Sequence, residues 1–147
     1  MPMLHDAAFR EQARKRVSAL TPHSGRQWGK MSVDQMLWHV NCGLENALGR
    51  YPIATIKLPL PKFLLKFIVL NLPWRKGNTP TAPELLAVAS HDLEHERARA
   101  LALLDDFAGV PIDGRWGDSP FLGPLTGQEW SRLQGKHVDH HLRQFGV

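Results

Sequence analysis

One cysteine, Cys42, stands in the whole chain, so no disulfide can form within it. The fold must therefore be held by packing and hydrogen bonds, which suits a reducing, cytoplasmic setting. The N-terminal stretch MPMLHDAAFREQARKR has no apolar core of the signal-peptide kind. Nor does the chain contain the roughly 20 consecutive apolar residues that a membrane-spanning helix needs. Its most apolar run, KFLLKFIVLNL, begins at Lys62 and is broken by Lys66. Internal repeats and low-complexity tracts are absent.

Acids are missing from one region. Between Asn46 and Pro83 lie Arg50, Lys57, Lys62, Lys66, Arg75 and Lys76, with no Asp or Glu among them. The net charge of +4 thus belongs to one connecting segment rather than to a general basic surface. That segment lacks the interleaved aromatic and basic residues of a single-strand binder, so nucleic acid is not an expected partner. A basic amphipathic helix can lie on a membrane. The expectation is instead that Phe63, Leu64, Phe67, Ile68 and Leu70 are covered by protein, from the same chain or a second copy in a homodimer.

What is present is ordinary for a globular protein: 147 residues, 43% hydrophobic and 22% charged. One domain, residues 1–147, is the simplest organisation. Helical spacing predicts a helix over 5–20, stopped by Thr21-Pro22. Ser32 and Gln35 form a capping-box pattern that starts a second helix over 33–48, ending at Gly49. Its apolar arc is Met36, Val40, Gly43, Leu44 and Ala47, with His39 at the edge beside Gln35, Asn46 and Cys42. As a small apolar side chain, Cys42 reads as core filler. A proline-rich crossover, Tyr51 to Pro83, encloses a shorter helix over 61–71. Thr81-Ala-Pro-Glu84 reads as a short capped turn. A third long helix over 90–107, capped by Ser90 or Asp92, carries the seam Leu93, Arg97, Ala100, Leu104 and Phe107. After it, AGVPIDGRWGDSPFLGP reads as a turn-rich loop.

The chain is organised around its last helix, 126–145. Thr126 and Glu129 make a second capping box, and Gly146 supplies the left-handed residue after the end. On a wheel of about 100° per residue, Trp130, Leu133, Gln134, His137, His141, Gln144 and Phe145 share one face. That face has apolar ends and a polar middle of two histidines and two glutamines. Histidines four apart can converge on one metal ion. They can equally be a hydrogen-bonded core pair, since each buried polar group left unsatisfied costs about 1–3 kcal/mol. The metalloprotease pattern H-E-x-x-H is excluded, because Val138 stands where the catalytic Glu would be. A rival pair, His91 and His95, lies among Asp92, Glu94 and Glu96, off the apolar seam, and reads as a solvated charged face.

The segments GKMSVDQMLWHV, TAPEL and FLGPLTGQEWSRLQGKHVDHHLRQFG together resemble the DinB/YfiT-like superfamily, and within it a branch of unknown function. The resemblance covers nearly the whole chain, most specifically residues 27–49 and 119–146. It implies an all-α four-helix bundle of up-down-down-up order, the 61–71 helix being an extra element in the crossover. It also implies a divalent metal held by one histidine of the second helix and the H-x-x-x-H pair of the last. Carried over, these are His39, His137 and His141. The ending HVDHHLRQ resembles the family's H-x-x-H-H-R-G-Q, with Leu142 interposed before Arg143 and Gln144. Gln134, Gln144 and His140 are then candidates for hydrogen bonds to the ligand rings or to a substrate. Gln35, Trp38, Asn46 and Trp130 are further candidates for the pocket wall.

Three imidazoles suit Zn or Ni first, and also Fe, Mn or Cu. Relatives include thiol-dependent transferases and isomerases that use bacillithiol, mycothiol or glutathione. The resemblance thus implies thiol-transferase or hydrolase chemistry on a small molecule, with a low-molecular-weight thiol as co-substrate. The alternative is a non-catalytic metal-binding or stress-related interaction bundle.

Overall fold

The computed structural model describes residues 1–77 and 79–147. The chain runs as α1 (Ala7–Ala19), α2 (Val33–Ala47), α3 (Lys62–Asn71), a 3-10 turn (Pro83–Leu85), α4 (Leu93–Gly109), a two-stranded hairpin of β1 (Asp118–Ser119) and β2 (Gly123–Pro124), and α5 (Gly127–Gln144). Each long helix begins where a polar side chain can satisfy its first free N–H groups. Asp6 accepts from the amides of Ala8 and Phe9, and Asp92 from that of His95. Thr126 and Glu129 close a reciprocal capping box. Gln35 accepts from the backbone of Ser32 at 3.0 Å.

The three-residue turn at Pro83–Leu85 stands where the TAPEL stretch predicts one. The loop expected after α4 departs from the sequence reading, because it folds into the β1–β2 hairpin. Two-residue strands carry no periodicity to read, and this pair forms because the loop is pressed against the bundle. The Trp130 indole donates to Gly117 O at 2.8 Å, and Gly117 N donates to Ala47 O.

Helix α2 packs against α4 and α5, and α1 packs against the same two helices. Leu4, Val17 and Leu20 meet Met36, Leu37 and Leu44, Leu104 and Phe107, and Trp130, Val138 and Leu142 in one buried cluster. Residue numbers rise together along α2 and α4. Asp34 accepts from His91 N, Asn41 donates to Glu96, Glu45 pairs with Arg99, and Arg50 pairs with Asp106. They also rise together from the residues before α1 to those ending α5. Leu4 N donates to Ser131 O, and Arg16 holds both Asp139 and Val147 O. Against α4, α1 runs the other way: Arg97 donates to Leu20 O while Arg14 reaches Asp105.

The α4 seam is broader than its heptad spacing predicts. Ala100, Leu104 and Phe107 are buried, and so is Glu96. Its carboxylate is held by Asn41 and by Arg99 at 2.8 and 3.0 Å, which makes its burial tolerable. Cys42 is buried in the core as expected. Among the described residues no helix is long and apolar enough to cross a membrane.

Within one chain the expected cover over the apolar residues of the crossover is partial. Leu70 is buried, but Phe63 and Phe67 on α3 are 77% and 57% exposed, and Leu64 is exposed as well. The bundle covers only the other side of α3, where Leu65 and Val69 meet the core cluster.

Candidate metal centre

His39 enters from α2, and His137 and His141 enter from adjacent turns of α5. One ring nitrogen from each lies within 4.8 Å of the others. His39 Nε2 and His137 Nε2 are 2.9 Å apart. The three ring centroids are 4.8–4.9 Å from one another, with the planes near perpendicular. Gly43 faces the site closely: a Cβ there would sit 3.1 Å from the His137 ring, a tighter contact than most side chains make.

The opposite nitrogen of each ring is also engaged. His39 Nδ1 is 2.8 Å from Leu85 O, His137 Nδ1 is 3.3 Å from Gln134 Oε1, and His141 Nδ1 is 2.8 Å from Gln144 Oε1. Leu85 O and Gln144 Oε1 can only accept, so Nδ1 of His39 and of His141 carries the proton, and with Gln134 Oε1 turned to it so does Nδ1 of His137. The orientation of the Gln144 amide is fixed independently, because its Nε2 donates to Trp28 O at 2.9 Å. Gly29 gives that amide its place: its φ is +80°, and a Cβ would lie 2.5 Å from Gln144 Nε2.

The consequence is a set of lone pairs turned toward one point. Neutral imidazole has one donor and one acceptor nitrogen. With every donor spent outward, His39 Nε2 and His137 Nε2 face each other as two acceptors. Such a pair is unfavourable unless a cation or a proton lies between them. A proton is disfavoured here. Burial pushes the His137 ring well below its ordinary range, and charge on His141 and His39 would push it further. Burial and the neighbouring His39 also push His141 down, to about 3. His39 is lowered by burial, offset in part by its bond to Leu85. The rings are neutral, pre-set in one tautomer and convergent. These residues fit a divalent ion with nitrogen-preferring chemistry.

The remaining predicted residues divide. Gln134 Oε1 and Gln144 Oε1 lie 3.3 and 2.8 Å from Nδ1 of His137 and His141. His140 does not join the triad: it is half-buried between Trp28 and Trp74, at 5.5 and 5.7 Å between ring centroids. Trp38 is turned away and stacks on His91 at 5.0 Å. Asn46 is occupied with Tyr51 O, Trp130 with Gly117 O, and Gln35 with Ser32 and Ala89 O. These four side chains are thus engaged with groups other than the three histidines.

The sequence reading missed Trp28 and Trp74, whose rings flank His140, that of Trp74 also lying 6.1 Å from His137. Both sit in irregular segments without periodicity, so nothing in the pattern marks them. It also missed the brace behind His39. Leu85 belongs to the 3-10 turn, and the Tyr51 hydroxyl pins that turn by donating to Glu84 O at 2.8 Å.

The model of the DinB superfamily matches residues 7–145, nearly the entire chain. The chain belongs to the DinB superfamily. No curated protein and no solved structure matches it. Membership and the three-histidine group agree: this is a DinB-type helical protein whose His39, His137 and His141 could hold a metal ion.

Proposed function

We propose that this DinB-superfamily chain is a metal-dependent enzyme acting on small molecules by thiol transfer or hydrolysis, with His39, His137 and His141 as metal ligands. The reading includes one domain over residues 1–147 and an up-down-down-up bundle of α1, α2, α4 and α5. The rising residue numbers between α2 and α4, and between the flanks of α1 and α5, support that order. The observation that carries the proposal is the outward commitment of all three Nδ1–H groups to carbonyl oxygens.

Three protein ligands leave a coordination position open, the arrangement of catalytic rather than structural sites. A bound divalent ion would supply Lewis acidity and lower the pKa of a coordinated thiol or water. The chain supplies orientation. Leu85 O, Gln134 and Gln144 hold the rings in one tautomer, and the Trp74 ring lies 6.1 Å from that of His137. Among the described residues no carboxylate joins the three-histidine group. Asp139, the nearest acid in sequence, is turned to Arg16 and Arg143 at 2.8 and 2.9 Å. Asp139 is therefore not placed as a general base, which favours chemistry in which the ion itself activates the nucleophile.

Elemental analysis of the purified protein, followed by a thiol-transfer and hydrolase screen with metal present and removed, tests the proposal. About one ion per chain and metal-dependent turnover are expected. Stoichiometric metal without turnover under any thiol would favour the non-catalytic bundle, and no bound metal would refute the metal-dependent enzyme.

A further inference from the structure

The exposed side of α3 combines two features that belong together on a lipid surface. Leu60, Phe63, Leu64 and Phe67 are exposed, Phe63 at 77% and Phe67 at 57%. Beside them is a shallow hollow lined by Lys62, Lys66 and Arg132 together with Phe63, Phe67 and Glu129. The single carboxylate there is spent, since Glu129 pairs with Lys66 at 3.1 Å. Lys62 is fully on the surface, and Arg132 is held at 3.1 Å by the neutral Asn71. The hollow thus has a positive excess, and its α3 wall belongs to the segment from Asn46 to Pro83, which contains no acid.

We propose that this face docks the protein on anionic phospholipid surfaces, with Phe63 and Phe67 entering the acyl boundary and Lys62 and Arg132 meeting headgroup phosphates. An amphipathic helix with aromatic residues on one face and lysines along its edge binds such interfaces by apolar burial plus charge attraction. A second copy of the chain is the competing occupant. A twofold contact through one patch brings a surface of net positive charge against a copy of itself. Anionic headgroups complement the same surface. This inference reverses the sequence-based expectation of a protein cover and is independent of the metal reading.

The test is co-sedimentation of the full chain with vesicles of phosphatidylcholine containing about one-third phosphatidylserine, against phosphatidylcholine alone. Binding to the anionic vesicles is expected to be at least about tenfold stronger and to weaken as salt rises. The double variant Phe63→Ser, Phe67→Ser should lose about tenfold or more, and Lys62→Glu a smaller factor. Both phenylalanines are exposed, so far-ultraviolet circular dichroism and metal content should match the parent. Failure to bind anionic vesicles at low salt, or binding that the double variant leaves intact, would overturn the proposal. So would light scattering that shows a dimer which the Phe63→Ser, Phe67→Ser variant dissociates, for the occupant is then a second copy.

Discussion

Two pairs of histidines share the spacing H-x-x-x-H in this chain, and the fold treats them oppositely. His137 and His141 lie within α5, on its buried face, across from His39. His91 and His95 straddle the start of α4, which begins at Leu93, so they do not even share one helix. His91 is stacked flat on Trp38, and the exposed His95 uses its backbone amide for the Asp92 cap. Four-residue spacing converges two rings only if both residues are helical and a third group closes the site from another element. Spacing proposes a metal site; packing decides whether it exists.

The largest contrast between the pairs should appear on substitution. His137→Ala or His141→Ala is expected to weaken metal binding by more than about 100-fold, beyond the loss that an outer hydrogen-bond partner causes. His91→Ala should leave metal content unchanged. Titration with a competing chelator measures both, and equal effects of the two pairs would remove the distinction.

Acid should separate the pairs next. His137 and His141 have folded pKa values held below the ordinary 6.5 by burial, so the unfolded chain binds protons that the folded chain refuses. Stability is therefore unaffected by these groups above about pH 6.5, and it falls as pH drops toward the folded values. The slope is about 1.4 kcal/mol per pH unit for each ring, or about 3 for the two together. Bound metal adds to the loss, because its ligands must be unprotonated. Chemical denaturation of the metal-free protein between pH 7 and pH 5 checks the sign. A His137→Ala, His141→Ala variant should show a correspondingly shallower decline.

Smaller effects test the supports. Gln144→Leu removes the acceptor for His141 Nδ1 and the bond to Trp28 O, and about 10–100-fold weaker metal binding is expected. Tyr51→Phe frees the turn that carries Leu85 O. Its cost should be near that of one hydrogen bond, about 0.5–1.5 kcal/mol, read as metal affinity and as altered visible absorption of the cobalt-substituted protein. At the bottom of the scale, His95→Ala should change stability by no more than about 0.5 kcal/mol, because its side chain is on the surface.

The helices and two of the three clustered histidines were legible in the sequence for local reasons. Capping residues and apolar periodicity act within a few positions of one another, so Asp92, Thr126 with Glu129, and the face joining Trp130 to Gln144 could be read directly. The same locality placed His137 and His141 on one side of α5. What the sequence could not set was everything that depends on which segments meet. His39 reaches the pair where α2, with Gly43 close to the His137 ring, packs on α5, and its tautomer is fixed by Leu85, 46 residues away. Trp28 and Trp74 come from irregular stretches whose positions follow only from docking against α5. Trp38 and Asn46, near the triad by helical spacing, are drawn off by His91 and Tyr51. Short-range order is encoded in neighbouring residues, whereas convergence of a site depends on contacts between segments far apart in the chain, and only tertiary packing chooses those.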